Sequence, residues 1–93
     1  MTGSDDGVVR LNADRATWRK VEDELVVLDL ESSAYLSING TGAVLWARLE
    51  QGATKKDLTD ALIAEFEVDN ATATRDVEAF VADLDRRGLL LIR

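Results

Sequence analysis

The chain has 93 residues, enough for one domain and not two. It contains no cysteine and no histidine, which excludes a disulfide framework, a thiol nucleophile, a thiolate metal site and the usual general base. A net charge of −7 would repel duplex nucleic acid, no apolar run approaches the length of a membrane span, and the start Met1 to Asp6 lacks the basic and apolar regions of a signal peptide. The expected setting is therefore the cytoplasm, with neither nucleic acid nor membrane as partner.

Residues 1–7 are small, polar and acidic, and are expected to be disordered, leaving 8–93 as a single domain. Val8 to Leu11 reads as a short strand. From Thr17 the pattern is extended: Thr17 to Val21 alternates bulky and polar residues, Glu22-Asp23 makes a polar turn, and Leu25 to Leu30 is rich in strand formers. After a second turn at Glu31-Ser32-Ser33, Ala34 to Ile38 forms a third strand. In it Ala34, Leu36 and Ile38 share one face, and Tyr35 and Ser37 the other. Short turns between three strands imply an antiparallel meander, whose last strand is left with an unpaired edge.

The period then changes from 2 to 3.6. Asn39 or Thr41 is expected to cap a helix carrying Gly42, Leu45, Trp46 and Leu49, and Gly52 suits the left-handed residue after its end. Thr54 with Asp57 resembles a capping box, followed by the stripe Leu58, Ala61, Leu62 and Phe66. Asp69 or Asn70 opens a third helix, with Ala73, Val77, Phe80, Val81 and Leu84 on one amphipathic face and Arg86 and Arg87 in the last turn. Gly88 ends it, and Leu89 to Ile92 form an apolar tail that extends the sheet or covers the core. The fold class is α+β: a winged-helix-like domain with a three-stranded antiparallel sheet followed by three helices.

No catalytic, metal or cofactor site is expected. Glu22, Asp23 and Glu24 read as a solvated hairpin turn rather than a cation site. Gly40 and Gly42 flank Thr41 without the lysine or the spacing of a phosphate loop, and Ser32 and Ser33 have no histidine to activate them. Trp46 shares its helical stripe with Leu45 and Leu49, so it belongs to the core. Tyr35 points away from the Leu36/Ile38 face and is either a cross-strand partner or a contact residue. A helix–turn–helix reading conflicts with the third helix, where Asp69, Asp76, Glu78, Asp83 and Asp85 outnumber Arg75, Arg86 and Arg87.

The string Leu28-Asp29-Leu30, Tyr35-Leu36, Ile38-Asn39-Gly40-Thr41-Gly42 and Leu45-Trp46, continued by Asp76-Val77, Phe80, Leu84 and Gly88-Leu89, resembles the PqqD-like family over roughly residues 17–92. One departure is Ile38-Asn39, where the family usually has Leu-Asn; the exchange is conservative. The resemblance implies a non-catalytic module that binds the leader segment of a ribosomally made precursor peptide. The leader adds as an antiparallel strand beside the third strand and packs against the third helix. The partner it implies is a maturation enzyme: a radical S-adenosylmethionine enzyme in pyrroloquinoline-quinone-type pathways, or a leader protease in lasso-peptide pathways. The Gly-Thr-Gly-x-x-Leu-Trp stretch looks more like the stand-alone lasso type.

An unpaired strand beside an amphipathic helix is also, on physical grounds alone, a site for strand addition. Its expected strand side is Ala34, Tyr35, Leu36, Ser37 and Ile38. Its expected helix side is Asp76, Phe80, Asp83, Leu84 and Arg87, which follow steps of three and four along one flank. Two rival readings remain: a degenerate winged-helix nucleic-acid binder, and an accessory subunit that binds only a folded partner protein.

Overall fold

The computed structural model describes residues 7–92. Apart from Gly7, the stretch expected to be disordered lies outside the described residues. The elements run β1 (Val9–Leu11), β2 (Ala16–Val21), β3 (Glu24–Asp29), β4 (Tyr35–Asn39), α1 (Thr41–Gln51), α2 (Lys55–Phe66), α3 (Asn70–Arg86) and β5 (Leu90–Ile92).

The meander forms as expected. β2, β3 and β4 make a three-stranded antiparallel sheet in that order, with Trp18 opposite Val27 and Val27 opposite Leu36. Glu22 turns the first hairpin at φ 57°, and Ser33 turns the second at φ 65°. Around the second turn the Asp29 carboxylate accepts from the Glu31 amide at 3.0 Å, and the Asp29 carbonyl accepts from Ser33 N–H at 2.8 Å. This local bonding replaces the ladder where β3 ends.

Alternation buries one face of this sheet. Ala16, Leu25, Val27 and Ile38 point inward with Leu36 and Trp18 partly covered, while Val21 and Tyr35 stay exposed on the other face. The helices complete the core with Leu45, Trp46 and Leu49 of α1, Leu58, Ala61 and Leu62 of α2, and Ala73, Val77, Val81 and Leu84 of α3. Burying a side chain of this size is worth about 1.5–3 kcal/mol, so the inward set holds the helices on the sheet. Trp46, 1% exposed, is the largest of the fully buried side chains, and the Trp18 ring meets it edge to face at 5.3 Å.

The three-stranded meander and the three helices stand; the strand near Val8 to Leu11 and the apolar tail add two more strands among the described residues, and two expectations are corrected. The apolar tail becomes β5, which pairs antiparallel with β1, Leu11 opposite Leu90, in a separate two-stranded sheet. It does so because β1 also bridges Ala53 through Val9, which holds that strand over the helical layer and away from the meander. The α1 cap is Gly40, not Asn39 or Thr41, and no side chain bonds the helix start. The chain turns from strand to helix within that one residue, at φ 56° and ψ −125°, a conformation open to glycine and costly for others. Phe66, placed on the α2 stripe by its spacing, is 38% exposed, because the helix ends there as Glu67 enters the left-handed region at φ 54°.

The other helix signals hold. Gly52 at φ 89° and Gly88 at φ 77° follow α1 and α3. Asp69 caps α3 by accepting from the Thr72 amide at 2.7 Å. At α2 the capping box is reciprocal: Thr54 Oγ1 accepts from Asp57 N–H at 3.0 Å, and Asp57 Oδ2 accepts from Thr54 N–H at 3.1 Å. Thr54→Ala removes one of the two bonds and is expected to cost about 1 kcal/mol. Urea unfolding will report this as a lower midpoint with an unchanged slope.

Candidate functional site

β4 lies at the edge of the meander and pairs only with β3. Which of its backbone groups face that free edge follows from the ladder. Asp29 N–H donates to the Ala34 carbonyl at 2.9 Å, making those two a hydrogen-bonded pair. Such pairs recur every second residue, so in the observed register Leu36 bonds Val27 and Ile38 bonds Leu25. The other side of β3 agrees. Leu30 N–H donates to the Arg15 carbonyl at 2.8 Å, which turns Leu28 and Val26 toward β2 and leaves Val27 and Leu25 for β4. The N–H and C=O groups of Tyr35 and Ser37 therefore point outward, unclaimed by the sheet.

The side chains of the same strand divide by the same parity. Tyr35, opposite Leu28 in the ladder, is 71% exposed on the outer face. Ser37 is exposed beside it, its hydroxyl donating to Glu24 Oε1 at 2.9 Å. Glu24 is thus engaged within the hairpin. Ile38 is buried and Leu36 half-buried against the core, while Ala34 sits exposed just before the strand, its N–H donating to Ser32 Oγ.

The other expected residues lie on α3, which approaches β4 where Ile38 and Phe80 flank Gly42. Phe80 is partly buried against the core, on one margin of the Ala73/Val77/Leu84 stripe. Gly42, at the start of α1, fixes where that margin lies. A Cβ there would stand 2.7 Å from Ile38 Cγ2 and 3.3 Å from Phe80 Cε1, so β4, α1 and α3 converge on a position without room for a side chain. Gly40 and Gly42 therefore serve different needs, the first a backbone angle and the second a close approach. Asp76, Asp83 and Arg87 share the Phe80 flank at steps of three and four along the helix. Asp83 accepts from Arg86 Nη2 at 2.8 Å and from Arg87 Nε at 3.2 Å. Asp83 is thus paired with two arginines at the end of the helix. Leu84 must be corrected: it is 1% exposed and faces the core, since its spacing falls at the centre of the stripe rather than at its margin.

The remaining α3 surface, with Glu78 and Asp85 exposed, presents carboxylates where a groove-reading helix needs cations. No group of three or more His, Cys, Asp or Glu that could hold a metal ion occurs among the described residues. No helix among them is long and apolar enough to cross a membrane.

Sequence reasoning passed over Arg15. Its guanidinium bonds Glu31 Oε1 at 2.8 Å and the Arg87 carbonyl at 3.0 Å, and lies 3.7 Å from Asp29 Oδ1. The Glu31 amide, assisted by Ser32 and Arg15, holds the Asp29 carboxyl below the usual carboxylate range. No local pattern marks Arg15, because its partners are far away in the chain.

The family profile described as Coenzyme PQQ synthesis protein D (PqqD) matches residues 24–90. Comparison with curated protein sequences returns no match. Two solved structures are similar throughout. TbiB1 in complex with the TbiA(beta) leader peptide is 31% identical, with a TM-score of 0.80 over 87% of this chain and 93% of that one. Lasso peptide synthetase B1 complexed with the leader peptide is 31% identical, with a TM-score of 0.78 over 89% of this chain and 96% of that one.

Proposed function

The chain belongs to the PqqD family, and on that premise we propose that it binds the leader segment of a ribosomally synthesised precursor peptide and presents it to a maturation enzyme. The observation that carries this reading is the free edge of β4: outward N–H and C=O groups at Tyr35 and Ser37, opposite the Phe80 flank of α3. A leader segment laid along that edge completes two backbone pairs. Its alternate side chains then face Phe80 and Leu36 on one side and Tyr35 on the other. Ala34 and Ile38 bound the strand side. Asp76, Asp83 and Arg87 line the helix side, where the paired charges suit a polar rim around an apolar centre.

The module itself is non-catalytic and works by presentation. The likeness to leader-bound lasso peptide synthetase B1 supports a lasso-type pathway, with a leader protease rather than a radical enzyme as the receiving partner. Titration with the leader encoded beside this chain's gene tests the reading. A one-to-one complex of micromolar affinity or better is expected, about −8 kcal/mol, within reach of a short docked strand with two or three apolar anchors. Absence of binding at 100-fold weaker affinity would reject it.

A further inference from the structure

The two walls of the groove make little direct contact with each other. At one end Phe80 and Ile38 meet at Gly42. At the other end one side chain from outside both walls joins them. Arg15 stands between β1 and β2, and its Nη2 reaches Glu31 in the turn that launches β4 and the Arg87 carbonyl that terminates α3. Its Nε is buried with no hydrogen-bond acceptor and faces the Asp29 carboxylate as an ion pair.

We propose that Arg15 is a positioning residue for peptide binding: by bridging the β3–β4 turn to the C-terminal end of α3, it sets the width of the groove at that end. This inference rests on the leader-binding reading. Three structural features make the bridge specific. Nη2 alone reaches Glu31 and the Arg87 carbonyl while Nε faces Asp29, so the planar fork meets three partners at once where a compact ammonium would have to give up the Asp29 side. The backbone at Gly88 leaves space for it, since a Cβ there would stand 2.5 Å from Arg15 Nη1. Arg15 is itself held, its N–H donating to the Asn12 carbonyl at 3.0 Å and its carbonyl accepting from Leu30 at 2.8 Å. Its backbone is thus fixed to the β3–β4 turn, and the side chain carries the position of that turn to the end of α3.

Arg15→Met, Arg15→Lys and Glu31→Gln test it, titrated with the same leader segment at a temperature where thermal unfolding shows each variant fully folded. Arg15→Met is expected to raise Kd about tenfold, the equivalent of one charge-assisted hydrogen bond. Arg15→Lys is expected to recover only part of that loss. Glu31→Gln, on an exposed side chain, is expected to raise Kd a few-fold with little change in melting temperature. A role confined to stability would lower the melting temperature and leave the affinity of the folded variants unchanged. Backbone amide shifts supply a second readout: in Arg15→Met they are expected to move in both Ala34–Ile38 and Asp83–Arg87. Parent-like affinity in folded Arg15→Met, or full recovery in Arg15→Lys, overturns the inference. If Arg15→Met fails to fold, parent-like affinity in Glu31→Gln overturns it instead. An unaltered domain that does not bind the leader sinks the leader-binding reading and this inference with it, whereas a binding parent beside an equally tight Arg15→Met sinks this inference alone.

Discussion

Ser37→Pro is expected to leave the domain folded and to weaken leader binding by about 1–3 kcal/mol, roughly 5- to 150-fold. Proline lacks the N–H, and at Ser37 that N–H points to the open edge, so nothing inside the domain loses a ladder bond. What is lost internally is the Ser37 hydroxyl bond to Glu24, which is exposed and worth little. Tyr35→Pro is expected to behave alike. Leu36→Pro is expected to do the reverse. Its N–H bonds Val27 across the ladder, so proline strands a buried carbonyl and forces its ring between two paired strands. The measurements are circular dichroism and thermal unfolding for each variant, then leader titration for those that fold. If folded Ser37→Pro and Tyr35→Pro both bind as tightly as the parent, the leader does not use this edge. If Leu36→Pro keeps parental stability, the Leu36 amide does not bond Val27 and instead faces the open edge.

Trp46→Ala is expected to remove about 3–5 kcal/mol of stability, a large share of the 5–15 kcal/mol that a domain of this kind possesses. Trp46 is 1% exposed, on the α1 face that meets the sheet, with the Trp18 ring packed on it at 5.3 Å. Alanine leaves a cavity at the junction of β2, β3 and α1 that so small a core cannot collapse around. Trp46→Phe should cost much less. It keeps an aromatic ring, and it removes an indole N–H that is buried without an acceptor. Urea unfolding of the parent and both variants reads the difference. A shift below about 1 kcal/mol for Trp46→Ala would show that this ring is not central to the core.

Both experiments touch positions where sequence and structure contribute unequally. Trp46 was legible as core from its spacing with Leu45 and Leu49, because helical periodicity places a residue on a face wherever the helix docks. The capping box at Thr54 and Asp57 was legible for a similar reason, since both partners lie within one turn. Leu84 was harder. Steps of three and four place it beside both Phe80 and Val81, and only the docked helix shows that it occupies the centre of the buried stripe while Phe80 occupies the margin. The N-cap of α1 misled because Asn39 and Thr41 are good caps in isolation, whereas the turn out of β4 required the backbone freedom of Gly40.

By itself the sequence determined the order and type of the main elements, the three-stranded meander, the acidic and cation-poor third helix, and the family to which the chain belongs. These are local or compositional properties, carried by periods of 2 and 3.6, by caps and by short spaced strings. The tertiary structure alone decided which edge of β4 each amide faces, that β1 and β5 form their own sheet, and that Arg15 ties the two walls of the groove together. Alternation along a strand tells which side chains are buried, but the direction of an N–H depends on which side the neighbouring strand lies. That, like the Arg15–Arg87 contact across 72 residues, is settled only when distant parts of the chain share one core.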